Sequence, residues 1–276
     1  MYNDYWRLRE KPFENNWDLR FYYLSNQHKE VLTRLLYAAR ENRQGALLTG
    51  DYGSGKSMVL ALLINKLKSS GQDYAIIHIK DPMMDIEDFY REFLLQLDSD
   101  IKEAEACESK SVLFKKFNKE LINQTDRSRH TVLIVDEAHL METRTLEELR
   151  LLLNNYHPET NTCMLTLILA GQPPLAEKIR GIPALSQRIP IRCNFPLLDE
   201  AQCEEYIFHR LRVAGSRNQL FTPEAVKLIW NYTRGVPRSV NNICDMALFL
   251  GSSRGVAKVD EEIIEEVARD IEESLQ

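Results

Sequence analysis

The sequence has no long hydrophobic run and no secretion signal. None of its apolar stretches approaches the roughly 18 to 20 residues that a membrane-spanning helix needs. The first seven residues lack the basic start and the apolar stretch of a signal peptide. We therefore expect a cytoplasmic protein whose chain, as given, carries no membrane span.

Cysteine is scarce and is not spaced for a structural role. The five cysteines are odd in number and widely scattered, and no Cys-x-x-Cys pair occurs. This pattern argues against a disulfide framework and against a structural zinc site. Reduced and mostly buried thiols are the simplest expectation.

The sequence also lacks an excess of positive charge. Its formal net charge is −6 at pH 7, which argues against a generally basic nucleic-acid binder. From Asp260 to the end there are eight acidic residues and one basic residue, so this segment carries −7 and the rest carries +1. Local basic stretches therefore decide whether a nucleic acid binds.

The 276 residues do contain short β-branched apolar runs that alternate with longer helical stretches, which indicates an α/β fold. The strand signal stops after Pro196 and four helical stretches follow. We predict a nucleotide-binding α/β domain over 1–198 and a small all-helical lid domain over 199–276. The predicted strands are 46–49, 74–80, 131–136, 164–170 and 189–195. The predicted helices include 57–68, 146–154, 200–214, 223–232, 238–250 and 261–274.

A glycine-rich segment lies between the first predicted strand and a helix, and it fits the Walker A pattern G-x-x-x-x-G-K-[ST]. Glycines let successive backbone N–H groups turn around phosphate oxygens at a helix N-terminus. Lys56 neutralises the β and γ phosphates in such a loop, and the Ser57 hydroxyl coordinates magnesium. The sequence therefore predicts binding of ATP with Mg²⁺. The predicted contacts here are Gly50, Asp51, Tyr52, Gly53, Ser54, Gly55, Lys56, Ser57 and Met58.

A second signal is the apolar segment 131–135, which ends in Asp136 and Glu137 as a Walker B strand does. A carboxylate at the end of this strand is placed to bind magnesium, and the next one is placed to orient or deprotonate an attacking water. We therefore predict Asp136 as a metal ligand and Glu137 as the catalytic base. Paired acids that merely end a strand at the surface are the simpler alternative. His139 completes a helicase-like Asp-Glu-Ala-His, but the chain has length for only one sheet domain.

Three further polar residues follow in an ordered series. Gln172 follows the fourth predicted strand, Arg188 precedes the fifth, and Arg238 begins a helix of the lid. Gln172 is a candidate for contact with the γ phosphate or with the attacking water, and Arg238 is a candidate that folds back over the phosphates. Taken one at a time, each is equally compatible with an ordinary surface or helix-terminal residue.

The order of these motifs resembles the AAA+ ATPases, and the match narrows to the ExeA-like family, also called general secretion pathway protein A. The resemblance covers nearly the whole chain. It rests on segments 5–13, 21–30, 35–37, 136–141, 149–154, 169–175, 206–215 and 235–241. Two departures are Asn16-Trp17-Asp18 where the family has Pro-Asp-Pro, and Ser57 where it has threonine.

The resemblance implies a parallel sheet of order 5-1-4-3-2 followed by a helical lid. It implies that Arg188 is an arginine finger supplied to a neighbouring subunit, so that hydrolysis requires a homo-oligomer. Arg238 then corresponds to the lid sensor and Gln172 to the first sensor. The stretch from Tyr23 to His28 corresponds to the part that borders the adenine.

Two functions remain open for the predicted ATPase. One is a motor or switch that assembles envelope machinery such as a secretion system or pilus, with a protein partner from that machine. The other is a regulator of transposition that resembles TnsC and MuB, which form ATP-dependent rings or filaments on duplex DNA and recruit a transposase. The detailed motif match favours the first, and the lack of a membrane-spanning run favours the second.

Local charge bears on the choice between these two functions. The stretch 110–129 has six basic residues against two acids and is a candidate DNA contact, although such a run is more often a solvated helix face. Its basic residues are Lys110, Lys115, Lys116, Lys119, Arg127 and Arg129. A third interpretation, a small-molecule kinase, requires no Arg188 from a neighbouring subunit and ranks last.

Overall fold

A parallel β-sheet organises the middle of the chain. The computed structural model describes residues 2–97 and 109–273. Its five strands, β1 to β5, are Gly45–Thr49, Tyr74–Ile79, His130–Val135, Leu165–Gly171 and Ile191–Asn194. They are parallel and lie in the order β2-β3-β4-β1-β5, which is the predicted order 5-1-4-3-2 read from the other edge. The fold class is therefore confirmed.

Helices connect the strands and form the C-terminal region. The α-helices of the described residues, α1 to α12, are Tyr2–Trp6, Asn26–Arg40, Lys56–Lys68, Ile86–Leu97, Lys110–Asp126, Thr143–Leu152, Pro174–Arg180, Pro183–Ser186, Glu200–Val213, Pro223–Thr233, Pro237–Arg254 and Glu261–Glu273. Short 3-10 turns cover Leu19–Phe21 and Ala138–Leu140. No helix within 2–97 or 109–273 combines the length and the apolar character needed to cross a membrane.

Both faces of the sheet are covered. Every residue of the central strands β3 and β4 is buried, as expected for strands with helices on both sides. On one face, Leu133 and Leu167 belong to a core with Phe93 of α4 and Phe117 of α5, whose ring centroids are 4.3 Å apart. Each side chain of this size contributes about 1.5–3 kcal/mol when fully buried. The other face of the sheet is buried as well. Its fully buried residues include Ala46, Leu48, Val132, Ile134, Ile168 and Ala170.

The strand register aligns the carboxyl ends of three strands. Thr49 at the end of β1 pairs with Gly171 at the end of β4, and Val135 at the end of β3 pairs with Leu169. Because the strands are parallel, the loops that follow them leave the same edge of the sheet. The residues that follow β1, β3 and β4 are therefore brought to one edge.

Contacts along the chain divide it into two compact units. The sheet unit consists of Gln27–Asp51 and Val59–Phe195, and the helical unit consists of Met1–Asn26, Tyr52–Met58 and Pro196–Gln276. The glycine-rich loop from Tyr52 onward thus groups with the C-terminal helices. The predicted domain boundary near residue 198 stays a prediction.

A buried arginine ties the N-terminal segment to α9 within the helical unit. Arg210 donates from Nε to the Pro12 carbonyl at 2.6 Å and from Nη2 to the Glu14 carbonyl at 2.7 Å. Its Nη1 donates to the Tyr206 hydroxyl at 2.8 Å. A buried guanidinium needs hydrogen-bond acceptors, and these three oxygens accept three of its five N–H groups. The N-terminal segment is therefore an integral part of this unit.

Local signals set the helix boundaries of the helical unit. The Asp199 side chain accepts the Gln202 N–H at 2.8 Å in a capping box that starts α9, and the Thr222 side chain caps α10. Helix α11 continues to Arg254, four residues beyond the predicted end, until Gly255 adopts the left-handed conformation with φ of 70°. Strand β5 begins after Pro190 because proline has no N–H for the ladder.

Candidate nucleotide-binding site

The loop between β1 and α3 has the backbone of an anion cradle. Gly53 and Gly55 have φ values of 73° and 107°, which glycine adopts without strain. Helix α3 begins at Lys56 and has no acidic residue in its first turn. Its positive dipole end therefore favours an anion at this loop.

Two side chains of this loop also suit a phosphate group. Lys56 is 4% exposed, so a bound anion would stabilise its ammonium in a site that excludes most of the water. Ser54 is buried, and its Oγ has no hydrogen-bond partner in the part of the chain that the structure describes. A buried hydroxyl without a partner is costly unless a ligand or a water supplies one. The donor set of the loop thus fits the phosphates of ATP.

The predicted lid residue Arg238 contacts this loop within the helical unit. Its backbone N–H donates to the Gly53 carbonyl at 3.3 Å, and its Nη1 donates to the Tyr52 hydroxyl. The guanidinium carbon lies 4.7 Å from the centroid of the Tyr52 ring. A Cβ on Gly53 would lie 3.0 Å from Arg238 Cβ, so only glycine fits without displacement.

The two predicted acids follow β3 in the sheet unit. Asp136 is 4% exposed, and its N–H donates to the Ile79 carbonyl of β2 at 2.9 Å. Glu137 turns the chain sharply: its φ is 48°, and its N–H donates to Asp136 Oδ1 at 2.9 Å. The buried carboxylate is chemically suited to a divalent cation. The Glu137 side chain is about a third exposed, although its Oε2 atom is buried and faces His139.

His139 connects Glu137 to the first residue after β4. Its Nδ1 lies 3.3 Å from Glu137 Oε2 and 3.4 Å from the backbone nitrogen of Gln172. Lys178 of α7 donates to the carbonyls of His139 and Met141 at 2.6 and 3.0 Å. The structure therefore brings Glu137 and Gln172 together around one imidazole, and α7 contacts the turn that follows Glu137.

Comparisons with known proteins identify the family of this chain. A family model described as AAA domain matches residues 39–179, which is just over half of the chain. The chain belongs to the AAA domain family. General secretion pathway protein A of Aeromonas hydrophila is 31% identical over 94% of this chain, which confirms the ExeA-like resemblance. The matched region spans 46% of that protein, less than half of its length.

Solved structures confirm that the AAA fold extends over nearly the whole chain. The Aeropyrum pernix ORC2 protein in ADPNP–ADP complexes has a TM-score of 0.70 and 14% identity, and covers 95% of this chain and 71% of that one. The structure of Drosophila ORC bound to DNA has a TM-score of 0.68 and 19% identity, and covers 94% of this chain and 63% of that one. At these identities the likeness concerns the fold alone.

Arg188, the predicted arginine finger of this AAA chain, is held by its own sheet unit. Its Nε and Nη2 donate to Asn154 Oδ1 at 3.0 and 2.5 Å, and its Nη1 donates to the Ala184 carbonyl at 2.7 Å. These contacts fix the direction of a long side chain. Its role toward a neighbouring AAA subunit stays a prediction.

The two residues predicted to border the adenine belong to different units. In the helical unit, the Tyr23 hydroxyl bonds to Glu205, and its ring packs edge-on against Tyr206 at 6.3 Å. In the sheet unit, buried His28 stacks on Phe195 with ring centroids 4.3 Å apart and an interplanar angle of 6°. The structure brings each of them to its own aromatic cluster. Their contact with a base stays a prediction.

The sequence analysis missed His78, which lies beside the acids. His78 is on β2 opposite Ile134 of β3, on the same side of the sheet as Asp136 two residues later. Burial lowers the pKa of His78, and the nearby Asp136 carboxylate partly opposes this shift. A polar residue near the carboxyl end of a predicted neighbouring strand was the signal that could have identified it.

Proposed function

We propose that this AAA protein binds and hydrolyses ATP and that its nucleotide state controls self-assembly and engagement of a partner complex. The observation that carries this proposal is the loop itself. Buried Lys56 follows the left-handed glycines Gly53 and Gly55 at a helix start without acids. Such a cradle recognises phosphates, and the paired acids after β3 favour transfer of a phosphoryl group to water.

Each side chain then has one task. Magnesium-bound ATP supplies the phosphoanhydride bond that is cleaved. Lys56 neutralises the β and γ phosphates, while the Ser57 hydroxyl and the Asp136 carboxylate hold the metal. Glu137 orients the attacking water and accepts its proton, and its position just after β3, with a side chain that is about a third exposed, supports this role. Gln172 and Arg238 contact the γ phosphate, and Tyr23 and His28 border the base.

Assembly follows from the assigned role of Arg188. A guanidinium supplied by a neighbouring subunit stabilises the charge of the transition state and makes hydrolysis depend on the oligomer. A heterologous contact of this kind generates rings or filaments. The homo-oligomer is therefore part of the catalytic proposal.

Assembly or remodelling of envelope machinery is the first candidate for what hydrolysis drives. The similarity to General secretion pathway protein A over 94% of this chain supports it. The corresponding partner is a protein of a secretion machine. A cytoplasmic location stays a prediction.

Duplex DNA is the second candidate partner, as in the transposition regulators. The fold likeness to Drosophila ORC bound to DNA and the exposed Lys115 and Lys119 of α5 support it. Two other basic residues of the same stretch are already paired: Lys110 with Glu148, and Arg129 with Asp73 at 2.9 Å. ATP-dependent, salt-sensitive sedimentation with DNA would favour this candidate, and its absence would favour envelope assembly.

Two variants test the catalytic proposal. Lys56→Ala removes the phosphate-binding cation and should abolish nucleotide binding. Glu137→Gln keeps the cradle, so it should bind ATP, lower turnover by about 100-fold or more through loss of the general base, and accumulate as an oligomer. Fluorescent-nucleotide binding, phosphate release and light scattering measure these effects. Unimpaired turnover by Glu137→Gln would contradict the assigned role.

A further inference from the structure

Tyr52, the third residue of the phosphate loop, forms a pair with Arg238 within the helical unit. Its hydroxyl accepts a hydrogen bond from Nη1, and its ring lies under the guanidinium at 4.7 Å. The ring is 62% exposed, so it is not a core residue of its unit. The two residues are 186 positions apart in the sequence. The contact is therefore specific to the folded unit and does not arise from local spacing.

The backbone around this pair is fixed independently of the tyrosine side chain. Helix α11 begins at Pro237 without a side-chain cap, and the Gly53 carbonyl accepts the Arg238 N–H at 3.3 Å. The loop itself thus satisfies one of the donors that a helix start leaves unpaired. The Tyr52 side chain only has to orient the guanidinium. Replacing it should leave the loop and the helix in place.

A stacked guanidinium keeps most of its hydrogen-bonding capacity. Arginine has five N–H donors in one plane, and the Tyr52 hydroxyl occupies one of them. Stacking on an aromatic face restricts the arginine side chain before a ligand binds. Less rotamer freedom is then lost when the guanidinium binds an anion. Arg238 is therefore held beside the phosphate loop with donors left for an anion.

We propose that Tyr52 is a positioning residue that holds Arg238 for the γ phosphate and thereby sets the preference of the site for ATP over ADP. This inference rests on the proposed nucleotide site. Because only ATP carries a γ phosphate, a loss of Arg238 orientation weakens ATP binding and leaves ADP binding unchanged. A residue that merely supports the loop would affect both nucleotides alike.

The test compares the affinities of ADP and of a non-hydrolysable ATP analogue, with magnesium, by calorimetry on the full chain. Tyr52→Ala should weaken the analogue about two- to fivefold more than it weakens ADP, which is the range of an exposed cation–π contact. Tyr52→Phe keeps the ring and should stay within about twofold of the wild type. Tyr232→Ala, an exposed tyrosine of α10 in the same unit, is the matched control and should change neither affinity.

A double-mutant cycle separates a positioning role from an independent contact. In the Arg238→Ala background, Tyr52→Ala should have no further effect on the analogue, because the residue that it positions is gone. Equal weakening of both nucleotides by Tyr52→Ala, no change in the analogue, or losses that multiply in the double variant would each overturn the inference. If the wild type binds neither nucleotide, the proposed function itself fails. If the wild type binds both and Tyr52→Ala matches it, only this inference fails.

Discussion

His130 starts β3 in a buried network at the amino end of the strand. Its Nε2 lies 2.8 Å from Thr166 Oγ1, and that hydroxyl donates to the Arg43 carbonyl at 2.6 Å. Thr166 therefore accepts a hydrogen bond from Nε2–H, which fixes the neutral tautomer. Burial lowers the pKa of His130 from 6.5 to about 4.

This shift predicts a pH dependence of stability. Below pH 6.5 the unfolded chain takes up a proton at this histidine, whereas the folded chain resists it until about pH 4. The stabilisation is complete above pH 6.5 and is lost as the pH falls toward 4. Between pH 7 and 4.5 we expect wild type to lose about 2 kcal/mol more unfolding free energy than His130→Gln, which keeps a donor but does not titrate. Parallel losses in urea titrations would contradict this.

Some of these residues could be predicted from the sequence and others could not. Gly55 is a fixed position of the Walker A pattern and has a positive φ, so spacing alone identifies it, whereas Gly53 stands at a variable position of that pattern. The pairing of Tyr52 with Arg238 and the contacts of His139 arise only after distant segments meet. A single sequence carries no signal for such pairings.

Among the secondary-structure elements, helix α7 contacts the turn after β3. Lys178 of α7 donates to two carbonyls of that turn, and α7 itself begins just after Gln172. A charged donor on two carbonyls is stronger than a neutral one. The position of Glu137 is therefore coupled to the segment that carries Gln172.

Lys178→Met should lower the catalytic turnover without abolishing nucleotide binding. Loss of two charge-assisted hydrogen bonds releases the turn, and we expect kcat to fall about tenfold while KM changes little. Arg180→Met is the matched control because Arg180 is exposed on the same helix. An unchanged kcat for Lys178→Met, or an equal loss in the control, would show that α7 does not position Glu137.

The elements were predictable where the local pattern is strong. Apolar β-branched runs identified all five strands to within two residues, because buried parallel strands need continuous hydrophobicity. The predicted helix 146–154 begins earlier, at Thr143, since its first turn carries no strong capping signal. Helix boundaries depend on caps and tertiary contacts as much as on the apolar period.

At the scale of the whole molecule, contacts divide the phosphate loop between two compact units. Asp51 ends one segment of the sheet unit, and Tyr52 begins the loop segment of the helical unit. Each unit combines segments that are far apart in the sequence, so composition and periodicity do not reveal the division. The number of subunits and the identity of the partner likewise depend on surfaces that form only in the folded protein, and local sequence patterns do not describe these surfaces.

The central claim is that ATP is hydrolysed at a site shared between neighbouring copies. Mixing inactive Lys56→Ala subunits with inactive Arg188→Ala subunits tests it most directly. When the two variants are mixed in equal amounts, we expect about a quarter of wild-type ATPase activity. Only one of the four possible subunit interfaces in a random heterologous assembly joins an intact Lys56 to an intact Arg188 of the neighbour. A mixture of Lys56→Ala with Glu137→Gln should stay inactive, because both changes damage the subunit that binds the nucleotide. No recovery in the first mixture, or full turnover by a protein that stays monomeric with every nucleotide, would contradict the account.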